Sequence, residues 1–212
     1  MAEQAFVGVD LGASSGRVLV GLFDGQRLRL DDVHRFPNGP VNVAGSLQWD
    51  LLALWSEVQA GLRGAASKYK SHIRSVGVDT WGVDFGLLGR GDTLLANPTH
   101  YRDRRTEGMP ERAFAHASRE EIFAATGLQF LPFNTLFQLL AMRESNSPLL
   151  DVAERLLMMP DLFHWLLSGV KANEVTNATT TQCFNPQTGA WATDLLNQCG
   201  LTSEWFGDLV SA

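Results

Sequence analysis

The chain has 212 residues, 45% of them hydrophobic and 19% charged, enough apolar material for one large domain or two small ones and too much for a disordered chain. Its net charge of −6 argues against nucleic acid or an anionic membrane as the main partner. The N-terminus, Met1-Ala2-Glu3-Gln4, is polar, and no apolar stretch approaches the roughly 18 residues of a membrane span, so a soluble, cytoplasmic chain is expected. Cys183 and Cys199 have no C-x-x-C spacing and are read as reduced thiols; His34, His72, His100, His116 and His164 show no metal-ligand spacing.

In chain order, Phe6-Val7-Gly8-Val9 forms a short apolar strand ending at Asp10. It runs through Leu11-Gly12-Ala13-Ser14-Ser15-Gly16-Arg17 directly into a second apolar run, Val18 to Phe23. The common phosphate loops feed a helix and carry G-x-x-x-x-G-K-[ST] or G-x-G-x-x-G, and neither pattern is present. A hairpin with two glycines still directs backbone N–H groups and two hydroxyls at an anion if the glycines reach φ > 0. Asp10 beside it offers the hard oxygen donor that Mg²⁺ takes. An ordinary small-residue hairpin is the competing reading.

Asp24-Gly25 marks a tight turn, and Arg27-Leu28-Arg29-Leu30 resumes alternation as a third antiparallel strand. A slip between Leu30 and Val33 suggests a bulge or bend before Phe36 to Pro40 ends the element. A Gly/Asn loop follows. Asp50 starts an amphipathic helix on Leu51, Leu54, Trp55, Val58 and Leu62, interrupted or ended near Gly64.

Val76-Gly77-Val78 reads as a buried strand ending in Asp79. Lying parallel after a crossover helix, it would bring Asp10 and Asp79 to one edge. Leu87-Leu88 and Leu94-Leu95 bracket a hairpin. From Thr106 onward the pattern is mainly helical: Glu107 to Ala117, Ser118 to Thr126 with a capping box (Ser118, Glu121), Asn134 to Glu144, and Pro160 to Leu167. Without repeat or linker, the chain is read as one domain.

The opening strands, with their Asp-Leu-Gly turn, and the order of six segments carry a resemblance. Those segments are Asp79 to Phe85, Tyr101-Arg102-Asp103-Arg104-Arg105-Thr106, Gln129 to Leu136, Met159-Pro160-Asp161 and Thr176 to Gln182, after Asp10 to Arg17. Together they resemble the sugar kinases of the FGGY family, and within it the rhamnulokinase subgroup. The usual family pattern has a lysine and a tryptophan where this chain has Asn134-Thr135-Leu136.

The resemblance implies an α/β fold of the actin-like ATPase or ribonuclease-H-like kind, with a mixed sheet opening on three antiparallel strands and flanked by helices. Residues 1–212 would be the N-terminal, sugar- and phosphate-binding lobe, the C-terminal lobe being absent from this chain. It implies transfer of the ATP γ-phosphoryl group to the C1 hydroxyl of L-rhamnulose, with Mg²⁺. Carried over by position, Ala13, Ser14, Ser15, Gly16 and Arg17 match the ATP phosphate turn, Gly82 a backbone contact to the sugar, and Asp10 the aspartate near the metal. No segment resembles the His-Asp-Thr that carries the general base, so the chain alone is expected to be inactive.

Trp81 and Asp84 on the same loop offer an apolar wall and a hydroxyl acceptor for the sugar, against core packing for Trp81 and a structural cap for Asp84. Tyr101, Arg102 and Asp103 offer pocket lining, against an Arg–Asp pair of Asp103 with Arg104 or Arg105. Asn134, Thr135, Thr179 and Thr180 are read as packing or capping residues, and Trp49, Trp55, Trp165, Trp191 and Trp205 as core. A non-catalytic sugar- or nucleotide-binding module and a fuculose or xylulose kinase are the alternative functions.

Overall fold

Strict alternation over the first strands gives them one apolar face, and that face decides the first sheet. The computed structural model describes residues 3–211, which divide into two compact units, the residues up to Val41 with Trp49–Trp81, and Asn42–Gln48 with the residues from Gly82 onward. In the first, β1 (Gln4–Leu11), β2 (Ser15–Phe23) and β3 (Leu28–Pro37) are antiparallel neighbours, as the sequence predicts. Ala5, Val7, Val9 and Leu11 of β1 and Val18, Val20 and Leu22 of β2 are buried on one face. The register jumps from Val18↔His34 to Leu19↔Asp32, leaving Val33 as the extra residue of a bulge, within the expected slip.

The stretch read as a Gly/Asn loop instead holds two short strands, β4 (Pro40–Val43) and β5 (Ser46–Trp49). Ala44 and Gly45 both take positive φ there, and Asn42 Oδ1 accepts from Gly45 N at 3.0 Å, which supplies the turn that the composition alone left open. Helix α1 (Leu51–Tyr69) is capped by Asp50, whose side chain accepts from Ala53 N. It does not stop at Gly64. Gly61 lies so close to β2 that a Cβ there would meet Val18 Cγ2 at 2.3 Å, and one at Gly64 would meet Val33 Cγ1 at 3.0 Å. Close helix–sheet packing therefore outweighs the poor helix propensity of glycine.

Strand β6 (Ile73–Thr80) pairs parallel with β1 and completes the order β3-β2-β1-β6. It was expected to be buried, yet Val76 is 43% exposed, because β6 is an edge strand.

In the second unit, β7 (Phe85–Gly89) pairs antiparallel with β8 (Thr93–Leu94) and, on its other side, with β9 (Arg155–Met158). Four helices lie between β8 and β9 in the chain: α2 (Met109–Ala113), α3 (Arg119–Thr126), α4 (Thr135–Glu144) and α5 (Leu149–Val152). Helix α2 is much shorter than the expected 107–117 segment, starting after Gly108 in the left-handed conformation. Both arms of the α3 capping box form, and Gly127 ends that helix at φ 63°. Helix α6 (Met159–Ser168) follows β9 without a loop.

The core joins Phe85, Leu87, Ile122, Leu136, Phe137 and Leu140 with both cysteines. Cys183 and Cys199 are free thiols whose burial raises their pKa, to about 11 for Cys199. Of the five tryptophans read as core, Trp49 is fully buried and the other four are half-buried. No helix among the described residues is long and apolar enough to cross a membrane.

Two outcomes follow from this packing. Gly61→Ala lowers the free energy of unfolding by about 1–3 kcal/mol, despite alanine's better helix propensity, because Val18 must move; a gain in denaturant stability would contradict the close approach. Asp161 is 2% exposed and accepts from Glu174 N at 3.1 Å, while burial raises its pKa to about 7. A carboxyl so raised binds its proton more tightly when folded, so its contribution is whole below its ordinary value of 3.8 and is lost as pH rises towards 7. Asp161→Asn therefore removes a decline in stability between pH 4 and 7, read from unfolding curves at each pH; parallel profiles for the two proteins would contradict the assignment.

Candidate functional site

The turn of the first unit closes on the pair Leu11↔Gly16, with Gly12 N donating to Ser15 O at 2.9 Å. Ser14 and Ser15 are exposed and Ala13 half-buried. Neither Gly12 nor Gly16 takes positive φ, which corrects the conformational reason expected for them. A Cβ on Gly16 would lie 2.3 Å from the Phe36 ring, so this glycine is required by packing. Asn38, which sequence reasoning passed over, braces the turn: its N donates to Ser14 O at 3.1 Å and its Nδ2 to Gly12 O at 2.7 Å.

Asp10 stands opposite Arg17 on β2 and in register with Asp79 on β6, so one row across the sheet carries Arg17, Asp10 and Asp79. Arg17 Nε and Nη2 both reach Asp10 Oδ2 at 2.8 Å. The two aspartates stand in register on neighbouring strands, whose backbones run about 4.8 Å apart, and one arginine neutralises only one of them. A row with one uncompensated carboxylate, made of hard oxygen donors, fits a Mg²⁺ ion that keeps most of its water. Trp81 is half-buried and stacks on Trp49 with ring centroids 3.9 Å apart.

In the second unit, Gly82-Val83-Asp84 makes a three-residue turn. Asp84 N donates to Gly82 O at 2.9 Å, and Val83 between them is held at φ 67°. That is a γ-turn with a β-branched residue in the left-handed region, a conformation costing on the order of 1–3 kcal/mol. The surroundings hold it in place. Val83 N donates to Thr180 Oγ1 at 3.3 Å, and Val83 O accepts from Thr135 Oγ1 at 2.7 Å and from Gln138 Nε2 at 3.2 Å. A Cβ on Gly82 would meet Thr180 Oγ1 at 3.0 Å.

Asp84 is fully buried. Its Oδ1 accepts from Gln138 Nε2 at 2.8 Å, its Oδ2 from Tyr101 N at 3.1 Å, and its backbone O from Met159 N at 3.0 Å. Segments far apart in sequence thus meet at one turn. Asn134 Nδ2 joins Gln182 Oε1 at 2.9 Å, and Leu136 N joins Thr181 O at 3.0 Å, tying the 129–136 segment to the 176–182 segment as packing and capping residues.

Tyr101 stacks on His100 at 4.5 Å, and Arg102 lies 5.4 Å from the Tyr101 ring centroid. Burial, with the Arg102 charge, lowers the His100 pKa to about 4, so the ring is neutral at pH 7. Asp103 does not bridge an arginine side chain as the Arg–Asp reading had it: its oxygens accept from Arg105 N at 2.9 Å and Leu47 N at 2.7 Å. Gln138 was not singled out in the sequence. Its signal was available, a lone amide within Leu136-Phe137-Gln138-Leu139-Leu140, since a polar group in a helix buried on all sides needs partners.

Gln138→Leu leaves the Asp84 carboxylate and the Val83 carbonyl short of a donor and lowers the free energy of unfolding by about 2–3 kcal/mol. Chemical denaturation measures this, and an unchanged midpoint and slope would contradict the bracing.

Residues 5–212 match the N-terminal domain of the FGGY family of carbohydrate kinases. Curated relatives named rhamnulokinase are 42% identical over 207 residues in Oceanobacillus iheyensis and 43% identical over 212 residues in Pectobacterium atrosepticum. These alignments cover 98% and 99% of this chain but 44% and 42% of the relatives, so the chain spans less than half their length. Among solved structures, the ligand-bound xylulose kinase from Lactobacillus acidophilus superposes with a TM-score of 0.85 at 17% identity, over 98% of this chain and 42% of that one. The gluconate kinase of the same organism gives 0.86 at 17% identity, over 99% and 42%. These likenesses establish the actin-like ATPase fold, and the sequence match establishes that the chain belongs to the FGGY family of carbohydrate kinases through its N-terminal domain.

Proposed function

We propose that the chain contributes the N-terminal part of a kinase that moves the γ-phosphoryl group of ATP to the C1 hydroxyl of L-rhamnulose, giving L-rhamnulose 1-phosphate in the cytoplasm. The observation that carries this reading is the sequence likeness to rhamnulokinases along the chain, together with the clustering of the resembling segments around the Gly82-Val83-Asp84 turn.

In this reading Ala13, Ser14, Ser15, Gly16 and Arg17 hold the phosphates of ATP. Gly82 meets the sugar through its backbone, with Trp81 as an apolar wall. The buried, fully engaged carboxylate of Asp84 supports a part in shaping that turn ahead of direct contact with the sugar. Asp10, with Asp79 beside it, holds Mg²⁺, which when bound offsets negative charge on the phosphoryl oxygens. Arg17 exchanges its bond to Asp10 for phosphate oxygens, the guanidinium being suited to either partner. The proton acceptor for the sugar hydroxyl is assigned to the part of the relatives that this chain does not span, so the 212 residues alone do not turn over.

Calorimetric titration of the chain with L-rhamnulose and, separately, with Mg-ATP tests the reading, with a full-length rhamnulokinase as reference. Saturable L-rhamnulose binding, weak or absent nucleotide binding and no sugar phosphate produced are expected. Fuculose or xylulose binding in place of L-rhamnulose would overturn the substrate, and L-rhamnulose 1-phosphate formed by the chain alone would overturn the placement of the base.

A further inference from the structure

Strand β3 carries its alternation the reverse of the usual way, with polar residues towards the helix and apolar ones away from it. Asp31 turns towards α1, where its Oδ2 accepts from Lys68 Nζ at 2.7 Å and from the Tyr69 hydroxyl at 2.5 Å. Leu28 and Leu30 therefore face away from α1, each 63% exposed. The register brings two phenylalanines to the same side: Leu28 stands opposite Phe23, and Leu30 opposite Gly21, which stands opposite Phe6. Phe6 and Phe23 are each 37% exposed. A Cβ on Gly21 would lie 3.2 Å from Leu28 Cδ1 and 3.8 Å from Leu30 Cδ2, so the leucines close over that glycine and the four side chains form one patch. Beside it Gly8 and Gly77 pair on β1 and β6, and a Cβ on Gly77 would meet nothing within 4 Å, which leaves a flat lane on the sheet. The charges at the border are matched, Asp32 by Arg35 and Asp10 by Arg17. What the face offers a partner is apolar surface. A contiguous exposed apolar patch marks an interaction site, whereas a lone exposed leucine such as Leu52 on α1 does not.

We propose that this face, opposite α1, seats an apolar helix from the part of the longer relatives that this chain does not span. A sheet face, its backbone groups already paired along the sheet, is covered by a helix or by another sheet. The bare glycine lane admits the ridge of a helix, as Gly61 and Gly64 permit close approach of α1 on the other face. More than half of each relative lies outside the matched region, so the length for such a helix is present there. A second copy fits less well. At about 200 Å² for a whole large side chain, the exposed fractions amount to at most about half of the roughly 800 Å² per partner of a standard interface. A segment tethered in the same chain docks without the entropic loss of bringing two bodies together. The inference rests on the chain being the N-terminal part of a longer kinase and is independent of its sugar.

The test joins this full chain to the remaining C-terminal part of the Oceanobacillus iheyensis rhamnulokinase and compares the fusion with the chain alone. Leu28→Cys, Leu30→Cys and, as control, Leu52→Cys are labelled one at a time with a maleimide, Cys183 and Cys199 being buried. In the fusion, labelling of Leu28→Cys and Leu30→Cys is expected to slow by about tenfold or more, the protection of a contact favourable by about 1.4 kcal/mol, while Leu52→Cys labels as in the chain alone. A benzophenone attached to Leu30→Cys is expected to crosslink to the added part. If the fusion fails to fold, the full-length Oceanobacillus rhamnulokinase with a cysteine at the position aligned with Leu30 carries the test, a shielded thiol being expected. Equal labelling of fusion and lone chain, equal slowing at all three positions, a crosslink to a second copy, or a freely reactive thiol in the full-length relative would each overturn the proposal. A fusion that shields Leu30→Cys yet forms no L-rhamnulose 1-phosphate upholds the docking and overturns the proposed reaction; one that forms it with both thiols as open as in the lone chain does the reverse.

Discussion

A valine held at φ 67° organises the second unit. A β-branched residue does not stay in that region unless its neighbours make every alternative worse. Here Thr135 and Thr180 clamp the two backbone polar groups of Val83, Gln138 spans its carbonyl and the Asp84 carboxylate, and Tyr101 and Met159 take the remaining oxygens of Asp84. Each bond alone contributes about 1 kcal/mol; together they fix a turn from elements more than ninety residues apart in sequence. Pre-positioning of this kind suits the proposed phosphoryl transfer, in which a protein's part is chiefly to hold groups in place.

The first unit is held by shape as much as by charge. Gly16 under Phe36 and Gly61 against Val18 let a turn and a helix approach the sheet more closely than any side chain permits. The same sheet fixes Arg17, Asp10 and Asp79 in one row, and only the Arg17–Asp10 pair is satisfied within it. Because these side chains are about 40% exposed, their mutual attraction is screened and weak, which leaves them free to exchange partners.

The periodic parts of the fold were legible. Alternation gave β1, β2 and β3 with their bulge, Asp50 gave the start of α1, and the parallel return of β6 brought Asp79 beside Asp10. What the sequence hid was of another kind. Gly64 reads as a helix stop because propensity is local, whereas the packing that overrides it is not. Val83 carries no glycine or asparagine signal for positive φ, since its conformation is imposed by Thr135, Thr180 and Gln138 from outside. Arg104 or Arg105 reads as half of an ion pair with Asp103, yet Asp103 spends both oxygens on backbone N–H groups. Of the candidate site, the Asp10 to Arg17 turn is singled out by its small residues and the Gly82 loop by resemblance, while the residues that brace them, Asn38 and Gln138, appear only once the chain is folded.

A crystal structure of this chain soaked with L-rhamnulose, at a resolution that shows the peptide planes of residues 82–84, puts the braced turn and its part in sugar binding to the test. Val83 is expected in the left-handed region, its N–H on Thr180 and its carbonyl on Thr135, with a sugar hydroxyl hydrogen-bonded to the Gly82 backbone. An extended Val83 released from both threonines, or a sugar bound away from this turn, would contradict it.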